Sequence, residues 1–388
     1  MTKSLSRKII ELPPSGIRRF FEVASEIPDV ISLGVGEPDF KTPWKVCQDG
    51  IQSMKEGKTH YTANAGLMEL RQAICQYLQK KYQLTYDPKT ETLVTVGASE
   101  AIDIACRALI NPGDEVLCAD PGYVSYAPSI TMADGKAIPV ALNPDEDFIL
   151  DPETLEAAIT EKTKALLINF PNNPTGAQMT KEQLKDIVDV ILKHDLYVIS
   201  DEIYSELNYR SEPVTSIASF EGMKERTIYI NGFAKAFAMT GWRLGYVCAP
   251  PEISEQILKI HQYAIMAAGT TSQYAAITAL TECEEEVLEM KQAYRQRRDY
   301  LLTCFQKIGL PCFKPEGAFY CFPDIREFQM TSEAFALRLL DEEKLAVVPG
   351  TAFGQGGEGF IRISYAYSIQ ELEQAVEKLS AFVSRLRA

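Results

Sequence analysis

The chain has 388 residues, with 39 Lys and Arg against 53 Asp and Glu, so its formal net charge is −14. At roughly 150 residues per domain, this length suggests two or three domains with well-buried cores. A content of 46% hydrophobic and 24% charged residues is that of an ordinary globular protein and excludes a disordered or collagen-like chain. Because the acidic total repels phosphate backbones and anionic lipid, we expect neither nucleic acid nor a membrane as a partner.

The expected compartment is the cytoplasm. The first residues, MTKSLSRKII, contain no apolar stretch typical of a signal peptide, and no run of about 18 apolar residues occurs elsewhere. The nine cysteines include no CxxC pair, and most lie in apolar runs such as IDIACRALI, which indicates buried free thiols in a reducing environment. Only three histidines occur, none close to another in sequence, so we predict no metal site.

The chain begins with a predicted irregular arm, residues 1–45, which contains five prolines and is expected to pack against the last section of the chain. Short β-branched runs then alternate with helical patterns from about residue 90 to 250, which is typical of an α/β sheet with crossover helices. Several runs are almost continuously hydrophobic, which indicates strands that are buried on both faces. The predicted strands are 93–96, 115–119, 137–142, 165–170, 196–200, 227–231 and 245–249.

Helix signals lie between and after these strands. Thr180 and Gln183 form a predicted capping box for a helix that runs to about His194. After Pro251 the pattern changes to long helices, over 254–266 and from about 272 to 308. A smaller α+β section follows, with strands at 319–322, 346–348 and 361–364 and an amphipathic helix from Ile369.

This pattern predicts three sections: residues 1–45 as the arm and part of a small domain, 46–285 as a large domain, and 286–388 as a small C-terminal domain. The expected fold class is α/β, with a mainly parallel seven-stranded sheet covered by helices and a smaller α+β domain. Open sheets of this kind bind ligands at the carboxyl ends of their strands.

Two nucleotide-binding motifs are matched only in part. Gly354, Gly356 and Gly359 satisfy G-x-G-x-x-G, but a predicted strand follows them where the dinucleotide fingerprint requires a helix. The segment from Gly57 to Thr59 resembles the end of a P-loop, but Gln52 stands where that loop requires glycine. Neither motif therefore predicts a nucleotide site.

Polar residues follow the predicted strands at the ligand-binding edge. GASEA opens a helix, so the backbone N–H groups of Ala98 and Ser99 could hold a phosphate, although Ser99 could equally be a plain N-cap. Taken singly, the others have ordinary explanations as packing, turn or solvated residues. A carboxylate, an amide, tyrosines, a lysine and an arginine at successive strand ends of one sheet are together poorly explained that way. These residues are Tyr123, Asn173, Asp201, Tyr204, Lys235 and Arg243.

Four segments together resemble a class I, fold-type I aminotransferase that uses pyridoxal 5′-phosphate (PLP). They are GVGEPDF, PNNPTG, SDEIYSEL and NGFAKAFAMTGWRLGY. The resemblance covers essentially the whole chain in the right order. It is strongest to the bacterial and archaeal branch that includes aromatic, aspartate and N-acetyl-diaminopimelate aminotransferases. The large domain would then be the PLP-binding domain.

The resemblance implies roles for the residues around the cofactor ring. Lys235 would form the Schiff base and then move the substrate proton. Asp201 would pair with the protonated ring nitrogen, and Asn173 and Tyr204 would hydrogen-bond the phenolic oxygen. Tyr123 would stack on the ring.

It also implies the phosphate and substrate contacts. Ala98, Ser99 and Arg243 would hold the phosphate, and Tyr61 would reach the phosphate of the neighbouring subunit in a homodimer. Arg362 would bind the α-carboxylate of the amino acid or 2-oxo acid substrate, with Gly36 and Asn173 assisting. Ala234 departs from the family pattern, which often has serine there, so one minor phosphate contact is in doubt.

Two questions stay open from sequence. A PLP-dependent β-lyase or related eliminase on the same fold is the main alternative, because the cofactor carries the chemistry. A regulator that uses this fold to sense amino acids would need a DNA-binding module. The acidic net charge and the presence of only 35 residues before Gly36 disfavour that function. For the substrate side chain, Arg18 and Arg19 suit a distal carboxylate, whereas the neighbouring Phe20 and Phe21 suit an aromatic ring.

Overall fold

The computed structural model describes residues 4–14, 16–17 and 27–388. Its strands are β1 Ile31–Ser32, β2 Thr92–Thr95, β3 Glu115–Asp120, β4 Lys136–Ala141, β5 Thr163–Ile168, β6 Tyr197–Asp201, β7 Thr227–Gly232, β8 Gly245–Cys248, β9 Tyr320–Cys321, β10 Leu345–Ala346, β11 Val348–Pro349 and β12 Ile361–Ser364. Its α-helices are α1 Arg7–Glu11, α2 Trp44–Lys55, α3 Met68–Tyr82, α4 Gly97–Leu109, α5 Tyr126–Met132, α6 Pro152–Ala157, α7 Lys181–Lys193, α8 Pro251–Ala264, α9 Thr270–Glu282, α10 Glu284–Ile308, α11 Ser332–Glu343 and α12 Ile369–Arg387.

A seven-stranded sheet forms the centre of the molecule, in the order β2-β8-β7-β6-β5-β3-β4. Only β8 runs antiparallel to its neighbours, and the other pairs are parallel. Every residue of β2, β7 and β8 is buried, as expected for strands with helices on both faces. The predicted α/β fold class and all seven predicted strands are confirmed, with bounds that differ by at most two residues.

The predicted helix signals also correspond to observed helix ends. The capping box before α7 is present: the Gln183 N–H donates to Oγ1 of Thr180 at 3.1 Å, and the Thr180 N–H donates to Oε1 of Gln183 at 2.8 Å. The long helical stretch divides into α9 and α10 at Cys283, and α12 begins at Ile369 as predicted.

A smaller group of strands lies apart from the main sheet. β9, β12 and β11 form an antiparallel sheet, and β1 pairs in parallel with β10 through Ile31 and Leu345. Residues 31–32 of the predicted arm therefore join the last section, as expected. α1 instead contacts the helix α5, where Nζ of Lys8 donates to the Met132 carbonyl at 2.9 Å. The domain bounds themselves stay a prediction.

Three further observations bear on the composition. All nine cysteines are free thiols, and six of them are buried. No helix among the residues described is both long and apolar enough to cross a bilayer. Within the same part of the chain, no three His, Cys, Asp or Glu side chains group together as a metal site would require.

Candidate active site

A cavity of about 380 Å³ opens at the carboxyl ends of the parallel strands. It is lined by ten of the eleven predicted site residues, which come from nine separate segments of the chain. These ten are Gly36, Ala98, Ser99, Tyr123, Asn173, Asp201, Tyr204, Lys235, Arg243 and Arg362. The eleventh, Tyr61, lies outside the cavity, and its side chain is 82% exposed.

Lys235 lies three residues beyond the end of β7 and is the buried amine of the cavity. Its Nζ donates to the Gly36 carbonyl, and the rings of Tyr204 and Phe319 lie 6.0 and 5.7 Å away. Burial, together with the positive charge of Arg362, lowers the pKa of Lys235 from 10.5 to about 8. At pH 7 about a tenth of this amine is therefore unprotonated and nucleophilic, far more than for an exposed lysine.

Asp201 is the last residue of β6 and only 3% exposed. The hydroxyl of Tyr126 donates to its Oδ2 at 2.8 Å, and the Ile203 N–H donates to its Oδ1 at 3.2 Å. Burial nevertheless raises the pKa of Asp201 from 3.8 to about 6, because these two donors do not replace the lost water. No lysine or arginine in the described residues forms an ion pair with it, so a cationic ligand atom would be stabilised here.

A hydrogen-bond chain connects Asn173 to Asp201, and a separate pair of hydroxyl groups holds Tyr204. The Asn173 N–H donates to Oδ1 of Asn169 at 3.0 Å, and Nδ2 of Asn169 donates to the Asp201 carbonyl at 2.8 Å. The hydroxyls of Tyr204 and Tyr320 are 2.8 Å apart. This chain fixes polar atoms around the space between Lys235 and Asp201.

The opposite end of the cavity is a cradle of backbone N–H groups and one arginine. α4 begins at Gly97 with Val96 before it, so the alternative of Ser99 as N-cap is wrong. A β-carbon at Gly97 would lie 3.0 Å from Nη2 of Arg243, and one at Gly245 would lie 2.7 Å from the Ala98 nitrogen. The Arg243 guanidinium thus faces the positive end of α4 at a distance that only glycine permits. Together, the guanidinium and the first N–H groups of α4 are donors suited to a phosphate.

Arg362 projects from β12 and is 2% exposed. Its Nη1 donates to Oδ1 of Asn173 at 2.9 Å and its Nη2 to the Gly34 carbonyl, while Nε has no partner. The rings of Tyr320 and Phe353 lie 4.4 and 4.7 Å from the guanidinium carbon. No acidic side chain among the described residues pairs with this buried cation, which leaves a carboxylate ligand as its natural counterion.

Five polar residues that line the cavity received no role from sequence: Glu37, Tyr126, Asn169, Thr240 and Tyr320. Glu37 accepts a 3.2 Å hydrogen bond from Oγ1 of Thr240. For Tyr126, the one available signal was its place in DPGYVSY, three residues after Tyr123. Tyr320 stands in a short apolar strand, where nothing in the pattern separates it from a core residue.

The donor set fits PLP. The close approach at Gly97 and Gly245 brings the Arg243 guanidinium to the N–H groups that begin α4, which suits a phosphate, and the buried carboxylate of Asp201 lines the same cavity. Lys235 supplies the buried amine between these two ends. Arg362 supplies the separate cation that an amino acid carboxylate requires.

Comparisons with known proteins agree with this arrangement. The family described as Aminotransferase class I and II matches residues 28–379. An aspartate aminotransferase of Pyrococcus abyssi is 44% identical over 97% of this chain and 97% of its own length, and aromatic-amino-acid aminotransferase 2 of Thermococcus litoralis is 42% identical with the same coverage. A crystal structure of aspartate aminotransferase from Thermus thermophilus with maleate has a TM-score of 0.94 at 38% identity, covering 98% of this chain and 100% of that one.

The chain belongs to the class I and II aminotransferase family. It is a PLP-dependent aminotransferase of fold type I, as the resemblance implied.

Proposed function

We propose that this enzyme transfers the amino group of an L-amino acid, aromatic or aspartate or both, to 2-oxoglutarate by a ping-pong mechanism, with Lys235 forming the Schiff base. The observation that carries the proposal is the buried, counterion-free guanidinium of Arg362 in the same cavity as the buried amine of Lys235. A carboxylate beside an amine is what an amino acid presents. The relatives above act on aspartate and on aromatic amino acids by name.

The residues that would hold the cofactor follow from the two ends of the cavity. Ala98, Ser99 and Arg243 would bind the phosphate, and Asp201 would pair with the ring nitrogen. Asn173 and Tyr204 would hydrogen-bond the phenolic oxygen, while Tyr123 would pack against the ring. When bound, the cofactor supplies an electron sink for the bonds to the substrate Cα.

The chain's own groups then do three things. Arg362, with Asn173 and Gly36 beside it, binds the substrate carboxylate and so orients the Cα hydrogen. Lys235, whose pKa of about 8 reflects burial and the Arg362 charge, would take the proton from the substrate Cα and hold it for transfer. The surrounding buried rings of Tyr204 and Phe319 exclude water from this amine.

We further propose a cytoplasmic homodimer. Tyr61 is 82% exposed and lines no part of its own cavity, which supports a role in the site of a second copy. Tyr263 is 89% exposed and adds a large aromatic to the uncovered surface. The nine free cysteines support a reducing compartment.

The substrate side chain is the least determined part of the proposal. Among the described residues, the only lysine, arginine or histidine side chains that line the cavity are Lys235, Arg243 and Arg362, each with a role already. Ile17 lines the cavity, so the chain next to Arg18 and Arg19 reaches the site. Those two residues lie outside the described part, and we propose that one of them binds a distal carboxylate without excluding aromatic substrates.

A half-reaction tests the reaction class. Holoenzyme mixed with glutamate in the absence of an acceptor should release one equivalent of 2-oxoglutarate per active site and no ammonia. Release of ammonia from an amino acid, with pyruvate from a substrate that bears a β-leaving group, would favour the β-lyase. Initial rates at several fixed acceptor concentrations should give parallel double-reciprocal lines, and intersecting lines would contradict the ping-pong mechanism.

A second measurement tests the substrate range. We expect kcat/KM for phenylalanine, tyrosine and aspartate, with 2-oxoglutarate as common acceptor, to differ by less than about a thousandfold. A thousandfold preference for aspartate corresponds to about 4 kcal/mol of transition-state binding. It would indicate a fixed cation for the distal carboxylate and would contradict the proposed acceptance of both substrate classes.

A further inference from the structure

The segment that joins β11 to β12, residues 350–359, is here called the glycine loop. It contains five glycines, including the G-x-G-x-x-G match at Gly354, Gly356 and Gly359, and it carries Phe353. Its two flanking strands pair so that Val348 lies opposite Arg362. The ring of Phe353 lies 4.7 Å from the Arg362 guanidinium carbon, on the cation that we propose binds the substrate carboxylate.

The glycine loop is tied to the end of β3, a strand of the main sheet. Oδ1 of Asp120 accepts the Gly356 N–H at 3.0 Å, and the Gly122 N–H donates to the Phe353 carbonyl at 2.9 Å. Both bonds come from one short segment, which continues into Tyr123 in the wall of the cavity. The segment thus connects the proposed ring-stacking residue to the loop behind the carboxylate site.

The glycines of the loop are needed for this approach. A β-carbon at Gly354 would overlap Oδ1 of Asp120, and one at Gly356 would lie 2.5 Å from the Asp120 carbonyl oxygen. Gly354 also has a φ of +121°, which side chains rarely adopt. Two of the three glycines of the partial fingerprint, Gly354 and Gly356, therefore let the loop close on Asp120, whereas Gly359 packs against the side chain of Arg326.

We propose that Asp120 is a positioning residue for the substrate carboxylate site, holding the glycine loop so that the Phe353 ring supports the guanidinium of Arg362. This inference rests on the proposed function, because it assumes that Arg362 binds substrate. Asp120 accepts a hydrogen bond from Gly356, the glycine loop carries Phe353, and the Phe353 ring contacts the Arg362 guanidinium. Asp120 itself does not line the cavity.

The test measures binding of maleate, an unreactive dicarboxylate, to the holoenzyme by calorimetry, together with the kinetics for glutamate. Asp120→Ala should raise the maleate Kd and the glutamate KM about tenfold, the size of one buried cation–π contact. We expect kcat within about threefold and an unchanged visible spectrum of the bound cofactor. Asp120→Asn, which keeps an acceptor for the Gly356 N–H, should restore Kd to within about threefold.

A matched control separates positioning from loop stability. Glu358 also belongs to the glycine loop, but its Oε1 accepts the Ser332 N–H of α11 at 2.9 Å, so it faces away from the main sheet. Glu358→Ala should leave Kd and KM at wild-type values. Equal losses in Glu358→Ala and Asp120→Ala would overturn the proposal, as would a wild-type Kd in Asp120→Ala.

A double-mutant cycle tests the route through the ring. Phe353→Leu should raise the maleate Kd about tenfold, and the double variant with Asp120→Ala should be no weaker than either single variant. If the two Kd increases multiply in the double variant, to about a hundredfold in all, Asp120 does not act through Phe353 and the proposal is overturned. If Asp120→Ala fails to fold, Gly354→Ala displaces the loop with the carboxylate retained and should give the same loss of affinity.

These outcomes are distinct from failure of the proposed function. Wild-type enzyme that binds no maleate and forms no 2-oxoglutarate from glutamate would contradict the proposed function. Wild-type enzyme that does both, with Asp120→Ala indistinguishable from it, would contradict the positioning role alone.

Discussion

Replacing Tyr126 by phenylalanine removes one hydroxyl and leaves the ring in place. That hydroxyl donates to Oδ2 of Asp201 at 2.8 Å, while the ring packs edge-on against Tyr123 with centroids 5.5 Å apart. Asp201 keeps the N–H of Ile203 as its other donor. The substitution therefore isolates the effect of one hydrogen bond on a buried carboxylate.

The magnitude follows from the pKa of Asp201, which burial raises from 3.8 to about 6 in the protein without cofactor. Because the folded form holds its proton more tightly than the unfolded form, the free energy of unfolding decreases as pH rises between about 4 and 6, by about 3 kcal/mol in all. The Tyr126 hydroxyl counteracts part of this by favouring the ionised form. Loss of this hydroxyl should raise the pKa of Asp201 by about one further unit, so the free energy of unfolding should continue to decrease up to a higher pH.

The assay is urea unfolding of cofactor-free protein at pH 5 and pH 8. We expect Tyr126→Phe to be less stable than wild type by about 1 kcal/mol at pH 5 and by about 2.5 kcal/mol at pH 8. Groups that titrate in this range without interacting with Asp201 cancel in the comparison. Tyr209→Phe is the control, since its buried hydroxyl donates to the Ala318 carbonyl, which does not titrate. A destabilisation by Tyr126→Phe that is equal at both pH values would refute the reasoning.

Three other outcomes are expected. Lys235→Ala should abolish the visible absorbance of the bound cofactor near neutral pH and lower transamination by orders of magnitude, because the nucleophile and the proton carrier are the same group. Wild-type turnover in this variant would rule out Lys235 as the Schiff-base lysine. Arg362→Lys should lower kcat/KM about a hundredfold through lost bidentate binding, with the cofactor spectrum intact, and a loss of the spectrum instead would indicate a structural role. Sedimentation at micromolar concentration should give a dimer whose activity falls in Tyr61→Ala, and an active monomer would contradict the shared site.

Much of the site could be predicted because it follows strand ends. Asp201 and Lys235 are each preceded by a short apolar strand, and parallel strands bring their carboxyl ends to one edge whatever lies between them. Arg362 could be assigned only by resemblance, since an arginine in a strand ordinarily faces solvent. Its burial depends on contacts with Asn173 and Gly34, both far away in sequence.

The residues that were missed depend on contacts that no local pattern records. Tyr126 hydrogen-bonds to Asp201, which lies 75 positions later in the sequence, and Tyr204 hydrogen-bonds to Tyr320, which lies 116 positions later. For Ser99 the structure excludes the alternative and not the assignment: a serine near a helix start suggests a cap, yet the helix begins two residues earlier at Gly97. The glycine there takes a φ of +78°, which a pattern of residue types does not specify.

The pairing of Ile31 with Leu345 has a consequence for synthesis of the chain. The Gly34 carbonyl that holds Arg362 lies just after β1, so the carboxylate end of the site needs residues from both ends of the polypeptide. At about 5 to 20 residues per second, a ribosome makes the intervening chain in roughly 15 to 60 s. During that time the main sheet can form, whereas β1 has no strand to pair with. The residues that we propose hold the cofactor phosphate can therefore come together well before Arg362 is synthesised.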